Sequence, residues 1–62
     1  MVSKYCVIVK FKYSESYISY FPSIYGARLE YKFWLKAQEQ YNKPGCYNPI
    51  LGVSIGKIKE VN

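Results

Sequence analysis

Few residues in this chain could carry chemistry. Cys6 and Cys46 are its strongest nucleophiles, and a cysteine nucleophile needs a base to activate it. The usual base is absent, because the 62 residues include no histidine. The acids are Glu15, Glu30, Glu39 and Glu60, with no aspartate among them. They fall in unrelated segments, so no pair is set up for acid–base work on a glycosidic bond. Gly52 and Gly56 lie four apart but lack the Lys-Ser/Thr ending that lets a glycine loop cradle phosphates. A closed zinc site takes about four ligands, and two distant cysteines without histidine cannot assemble one. These absences exclude most hydrolytic, metal-assisted and proton-transfer enzymes. The expectation is a chain that is not an enzyme, holds no metal and needs no cofactor.

What remains suits binding. Nine Lys and Arg against four Glu give a net charge of +5 and an isoelectric point near 9.3. Such a chain favours anionic partners, whether an acidic protein face or a nucleic-acid backbone. Eight of the nine cations are lysine, which disfavours base-specific readout, since that leans on the bidentate arginine fork. Arg28, Lys32 and Lys36 recur every fourth residue. Most such rows are solvated helix faces; the sharper interpretation is an electrostatic footprint for a partner. Lys10 and Lys12 serve equally well as charges that guard a strand against edge pairing.

Aromatic residues are in excess. Eight tyrosines, three phenylalanines and one tryptophan each bring about 150–250 Å² of surface, more than so small a core can absorb. Some of them cap the core with a wet hydroxyl, and others are left for contact, where Tyr, Trp and Arg are the enriched anchors. Tyr13, Tyr17 and Tyr20 around a hairpin and Tyr47 in a loop are the contact candidates, together with Arg28, Lys32 and Lys36. Trp34 is assigned to the core.

The elements that position these residues follow from periodicity. Lys4 to Tyr13 alternates, with Tyr5, Val7, Val9, Phe11 and Tyr13 on one face and Lys4, Cys6, Ile8, Lys10 and Lys12 on the other, a strand signature. The apolar Cys6–Ile8 end predicts that the second face is covered too. Ser14-Glu15-Ser16 breaks the run, and Tyr17–Phe21 resumes it until Pro22, giving a hairpin with a turn of two to four residues. From Ser23 to Asn42 two patterns compete. Leu29, Tyr31, Phe33 and Leu35 alternate as a strand would. The basic row continues to Gln40, however, and the segment is too long for one strand. A helix is therefore expected from about Ala27, delayed by Gly26, to Tyr41, with Ser23 as a plausible cap and Pro44-Gly45 as the stop. It should pack through Tyr31, Trp34 and Leu35, with Leu29 and Phe33 extending its apolar side. A loop runs from Asn42 to Pro49. Ile50 to Val61 forms the last strand, with Leu51, Val53 and Ile55 on one face and a bulge near Gly56.

The order is β-β-α-β within a single domain of residues 1–62. The fold class is α+β, a small three-stranded, mostly antiparallel sheet with one helix packed on one face. No run is long and apolar enough for a membrane span, and no secretory signal opens the chain, so the expected setting is the reducing cytoplasm with both thiols free. The expected function is docking on a macromolecular partner. A protein partner, either an enzyme or a nucleoprotein complex, comes first, with the chain as its regulator or inhibitor in the manner of antitoxins and phage-type host-takeover factors. Chains of this size often serve in that role, and the Lys-, Tyr- and Ile-rich composition is compatible with an AT-rich genome. The alternative is a non-specific nucleic-acid binder that uses Lys for phosphates and Tyr for base stacking. No membrane partner is expected, and a homodimer through an exposed sheet edge stays open.

Overall fold

The computed structural model describes residues 3–58. Its elements are β1 (Tyr5–Phe11), β2 (Tyr17–Phe21), α1 (Ile24–Tyr41) and β3 (Ile50–Lys57). They form one three-stranded sheet in the order β2-β1-β3. Both ladders are antiparallel, and the helix lies on one face, as the α+β pattern predicts. The β-branched run Val7-Ile8-Val9 takes the central position, where both ladders fix its backbone. Residues 12–16 connect β1 to β2, a longer turn than the polar triplet implied.

Ladder parity decides which face the helix covers. Val9 is opposite Tyr17 and Val53, and Val7 is opposite Ser19 and Ile55. All of these share the helix side. Val7 and Val9 are fully buried there with Ala27 of α1 and Ile50 of β3. The opposite face carries Cys6, Ile8, Ile18 and Tyr20, and no element among the described residues covers it. The expectation of a second covered face is thus overturned. One helix can shield one side of a sheet, and the described residues contain one helix, α1.

The bulge falls elsewhere than expected. Lys10 is opposite Gly52 while Phe11 is opposite Ile50, so Leu51 is the extra residue. This shift puts Ile50 in the core without displacing Val53 and Ile55, and it turns Leu51 away from them, leaving it 61% exposed. A strict alternation could not place Ile50, Val53 and Ile55 on one face, and the bulge resolves that conflict. No shift accompanies Gly56. The strand ends at Lys57, and its expected continuation to Val61 lies outside the described residues.

The helix begins three residues earlier than expected, at Ile24. Ser23 is extended, and its hydroxyl accepts the Tyr25 N–H at 3.2 Å, satisfying one of the orphan donors of the first turn. Gly26 therefore lies inside the helix. It is useful there because a Cβ would come within 3.1 Å of the Phe21 ring. At the other end the Asn42 N–H reaches the Gln38 carbonyl at 3.1 Å. Lys43-Pro44-Gly45-Cys46 then turns back, closed by a 2.9 Å bond from the Cys46 N–H to the Lys43 carbonyl. Gly45 sits at φ 87°, the left-handed geometry that the third position of a Pro-Gly turn demands. The side chain of Asn42 clamps the start of β3. Its Oδ1 accepts the Ile50 N–H at 2.8 Å, and its Nδ2 donates to the Ile50 carbonyl at 2.6 Å.

Candidate functional site

The possible catalytic parts remain scattered. Cys6 is half-buried in the open sheet face and Cys46 lies in the loop after α1, both as free thiols. Glu15 is in the hairpin turn. Glu30 accepts the Trp34 indole N–H at 2.9 Å, one helical turn away. Among the described residues no three acidic or thiol side chains approach closely enough to hold a metal ion. No helix among the described residues is long and apolar enough to cross a membrane.

The residues that do come together are on the outer side of α1. Arg28, Lys32 and Lys36 are all exposed and rise about 6 Å per step, because four residues advance slightly more than one turn. Beside them runs a second row, Tyr25, Leu29 and Phe33, again four apart. These three are 75%, 72% and 62% exposed. Leu29 and Phe33 were expected on the packed side, and that expectation is corrected. With Ala27 pointing straight at the sheet, positions 25, 29 and 33 fall on the opposite half of the helical wheel at about 100° per residue. The helix has more large apolar residues than one sheet face can receive. Leu35, also assigned to packing, sits on the flank and is 38% exposed. Tyr31 and Trp34 are half-buried.

Two shallow hollows flank this basic row. Tyr25, Arg28, Leu29 and Lys32 line the first. The second lies toward β3, between Ile24, Arg28, Tyr31, Lys32, Leu35 and Ile55. Arg28 and Lys32 line both hollows and are exposed, and long cationic side chains of this kind can cover apolar surface with their stems while the charge stays in water.

The four candidate tyrosines are not assembled into one surface. Tyr17 lies on the helix side of β2, its ring 5.7 Å from that of Trp34. Trp34 also meets Phe11 and Phe33 edge to face, at 6.4 and 5.5 Å, so Tyr17 belongs to an aromatic cluster at the core's margin. Tyr20 points from the opposite face. Tyr13 and Tyr47 are at the end of the molecule where the hairpin turn meets the loop after α1. Asn48 ties these segments together, accepting the Tyr13 N–H at 3.0 Å and donating to the Ser14 hydroxyl at 2.8 Å. Tyr47 is 94% exposed there, and the Lys12 ammonium lies 5.2 Å from the centre of the Tyr13 ring, within cation–π range.

Sequence reasoning missed Tyr25, Leu29 and Phe33. Their signal was present: an apolar row and a basic row share one spacing, displaced by one residue. Such a pair cannot both be a packing face. The chain matches no protein-family model, no curated protein and no solved structure.

Proposed function

We propose that this protein is a non-enzymatic binding module that docks through the outer side of α1 on an acidic, partly apolar surface of a protein partner, and acts as its regulator or inhibitor. The observation that carries this reading is the adjacency of the two exposed rows, Arg28-Lys32-Lys36 and Tyr25-Leu29-Phe33. Water-exposed Leu and Phe gain free energy when a partner covers them, by about 25 cal/mol per Å² buried. The neighbouring cations set orientation and speed encounter with an anionic surface. A convex helix with apolar anchors at i, i+4 and i+8 fits a groove, a common mode of helix recognition. Leu29 at the centre of the row favours a protein groove over nucleic acid, since it offers no ring for a base to stack on. Two free thiols suit a reducing compartment such as the cytoplasm.

The test is capture of partners from the source cells with tagged protein, before and after nuclease treatment. The comparison set is Leu29→Asp and the double variant Arg28→Glu with Lys32→Glu. The expected outcome is nuclease-resistant capture of one protein, abolished by Leu29→Asp and slowed in association by the charge reversal, with unchanged thermal melts. Recovery of nucleic acid alone, or capture indifferent to all three substitutions, refutes the proposal.

A further inference from the structure

The two edges of the sheet are built differently. The β3 edge is interrupted by the Leu51 bulge at one end and carries Lys57 at the other, two devices that discourage pairing with another strand. Arg28 and Lys32 also stand over it beside Ile55. The β2 edge has neither device. Its five residues, Tyr-Ile-Ser-Tyr-Phe, contain no charge and no bulge. Ladder alternation fixes which of its backbone groups are unpaired. Flanking β1, the Lys4 carbonyl accepts from Ile58 and the Lys12 N–H donates to Pro49, so within β1 even-numbered residues bond toward β3 and odd-numbered ones toward β2. The Lys4 N–H, ahead of the strand, departs from this alternation and turns to the Phe21 carbonyl. Ile18 and Tyr20, opposite Ile8 and Cys6, therefore turn their N–H and C=O groups outward, away from the sheet.

We infer that this edge is a self-association site, where β2 pairs antiparallel with β2 of a second copy about a two-fold axis through Ser19. The sequence is complementary to itself in that register. Ile18 falls opposite the other copy's Tyr20, with four backbone hydrogen bonds formed across the two such pairs. Tyr17 falls opposite the other copy's Phe21 on the helix side. Each of these cross-strand contacts joins an aromatic ring to an apolar or aromatic partner, the favoured class of pair. The charges agree as well. Lys4 backs Phe21, its N–H 3.0 Å from the Phe21 carbonyl, and Glu15 precedes Tyr17 by two residues. The antiparallel register brings Glu15 of each copy toward the corner held by Lys4 of the other, twice per dimer, as an isologous contact requires. The result is a continuous six-stranded sheet that carries both helices on one side and leaves both α1 outer faces free. A five-residue edge is small against the roughly 800 Å² per partner of a stable interface, so the dimer is reversible and dependent on concentration.

Sedimentation velocity of the full chain from micromolar to near-millimolar concentration tests this. A monomer–dimer equilibrium is expected in the parent. Ile18→Lys, which sets two ammonium groups near the axis, should weaken dimerisation at least about tenfold, since like charges juxtaposed in an interface are strongly unfavourable. Glu15→Lys should weaken it a few-fold, and Glu15→Lys combined with Lys4→Glu should restore it. A protein monomeric throughout, or a dimer whose affinity is unmoved by Ile18→Lys, overturns the inference. If Ile18→Lys lowers the melt, amide exchange in the parent decides. The Ile18 and Tyr20 N–H groups must exchange more slowly as protein concentration rises, and exchange independent of concentration at both sites overturns the proposal.

Discussion

The two faces of β1 both carry β-branched or apolar residues at their centre and meet opposite fates. On one side Val7 and Val9 are completely buried under α1. On the other Cys6 and Ile8 lie in the sheet's open face, flanked on the β2 side by the exposed Tyr20 and Ile18. Their central residues do not separate them, since isoleucine and valine are equally suited to a core, but exposed Lys4 and Lys10 border the open side while no charge borders Val7 and Val9 on theirs. Supply matters as well: the described residues contain one helix, and the face that receives it is the one where the bulge of β3 gathers Ile50, Val53 and Ile55. The same shortage operates on α1, whose apolar residues outnumber the places beneath it and leave Tyr25, Leu29 and Phe33 outside. The protein thus presents apolar surface on two sides, and on the α1 side an unbroken apolar row, Tyr25-Leu29-Phe33, runs alongside the row Arg28-Lys32-Lys36.

The largest expected effect that would break this comparison is at adjacent residues of β3. Ile50 is 1% exposed and Leu51 61%. Ile50→Ala removes buried volume and should destabilise by about 2–5 kcal/mol, which is enough to unfold much of a domain this small. Leu51→Ala should stay within about 0.5 kcal/mol. Urea denaturation of both variants measures the difference. Equal losses would place the bulge elsewhere and make both faces of β3 part of a core.

A smaller effect is expected where α1 hands over to β3. Asn42 satisfies both backbone groups of the buried Ile50, and Gln38 adds a 3.3 Å bond to the same carbonyl. Asn42→Ala leaves the Ile50 N–H without its acceptor, a loss of about 1–3 kcal/mol for an unsatisfied group. Asn42→Asp should recover part of this, since a carboxylate still accepts from the N–H but no longer donates to the carbonyl. Thermal melts of the pair give the order. If Asn42→Ala matches the parent, water replaces the side chain and the clamp contributes nothing to stability.

The fold was legible in the sequence where a single periodicity governed a segment. Period two in Tyr5–Phe11, the break at Pro22 and the Pro-Gly turn each admit one interpretation, and in Ser23–Asn42 the length of the segment and the basic row running to Gln40 decide for a helix over the competing strand alternation; together they give β-β-α-β. The errors share a cause. Alternation says that β1 has two faces but not which is covered, so the apolar Cys6–Ile8 side looked buried. The phase break in β3 was visible, yet Gly56 drew attention from Leu51, because only the pairing partner Phe11 shows that Ile50 must turn inward. In α1 the four-residue spacing of Arg28, Lys32 and Lys36 was plain, while Leu29 and Phe33 were assigned by hydrophobicity to a face that geometry had already filled. The Asn42 clamp depends on two residues eight apart meeting across a loop, which no local pattern encodes.

The smallest effect separates the two faces through their glycines. Gly56 lies opposite Cys6 on the open side, and a Cβ built there meets nothing within 4 Å. Its φ is not positive, so alanine adopts the same backbone without strain. Gly56→Ala should therefore stabilise by about 0.4–1 kcal/mol, chiefly by narrowing the unfolded ensemble. In a domain near this size that corresponds to a rise in Tm of about 2–8 °C. Gly26→Ala begins with a larger intrinsic advantage, about 1 kcal/mol for alanine over glycine inside a helix. That gain is opposed on the covered side, where the new methyl stands 3.1 Å from the Phe21 ring and a packed neighbour must give way. The expectation is a higher Tm for Gly56→Ala and a smaller or negative change for Gly26→Ala. Differential scanning calorimetry of the two variants against the parent makes the comparison. The reverse order would mean that Phe21 moves freely and that the open face is packed more tightly than the side under the helix.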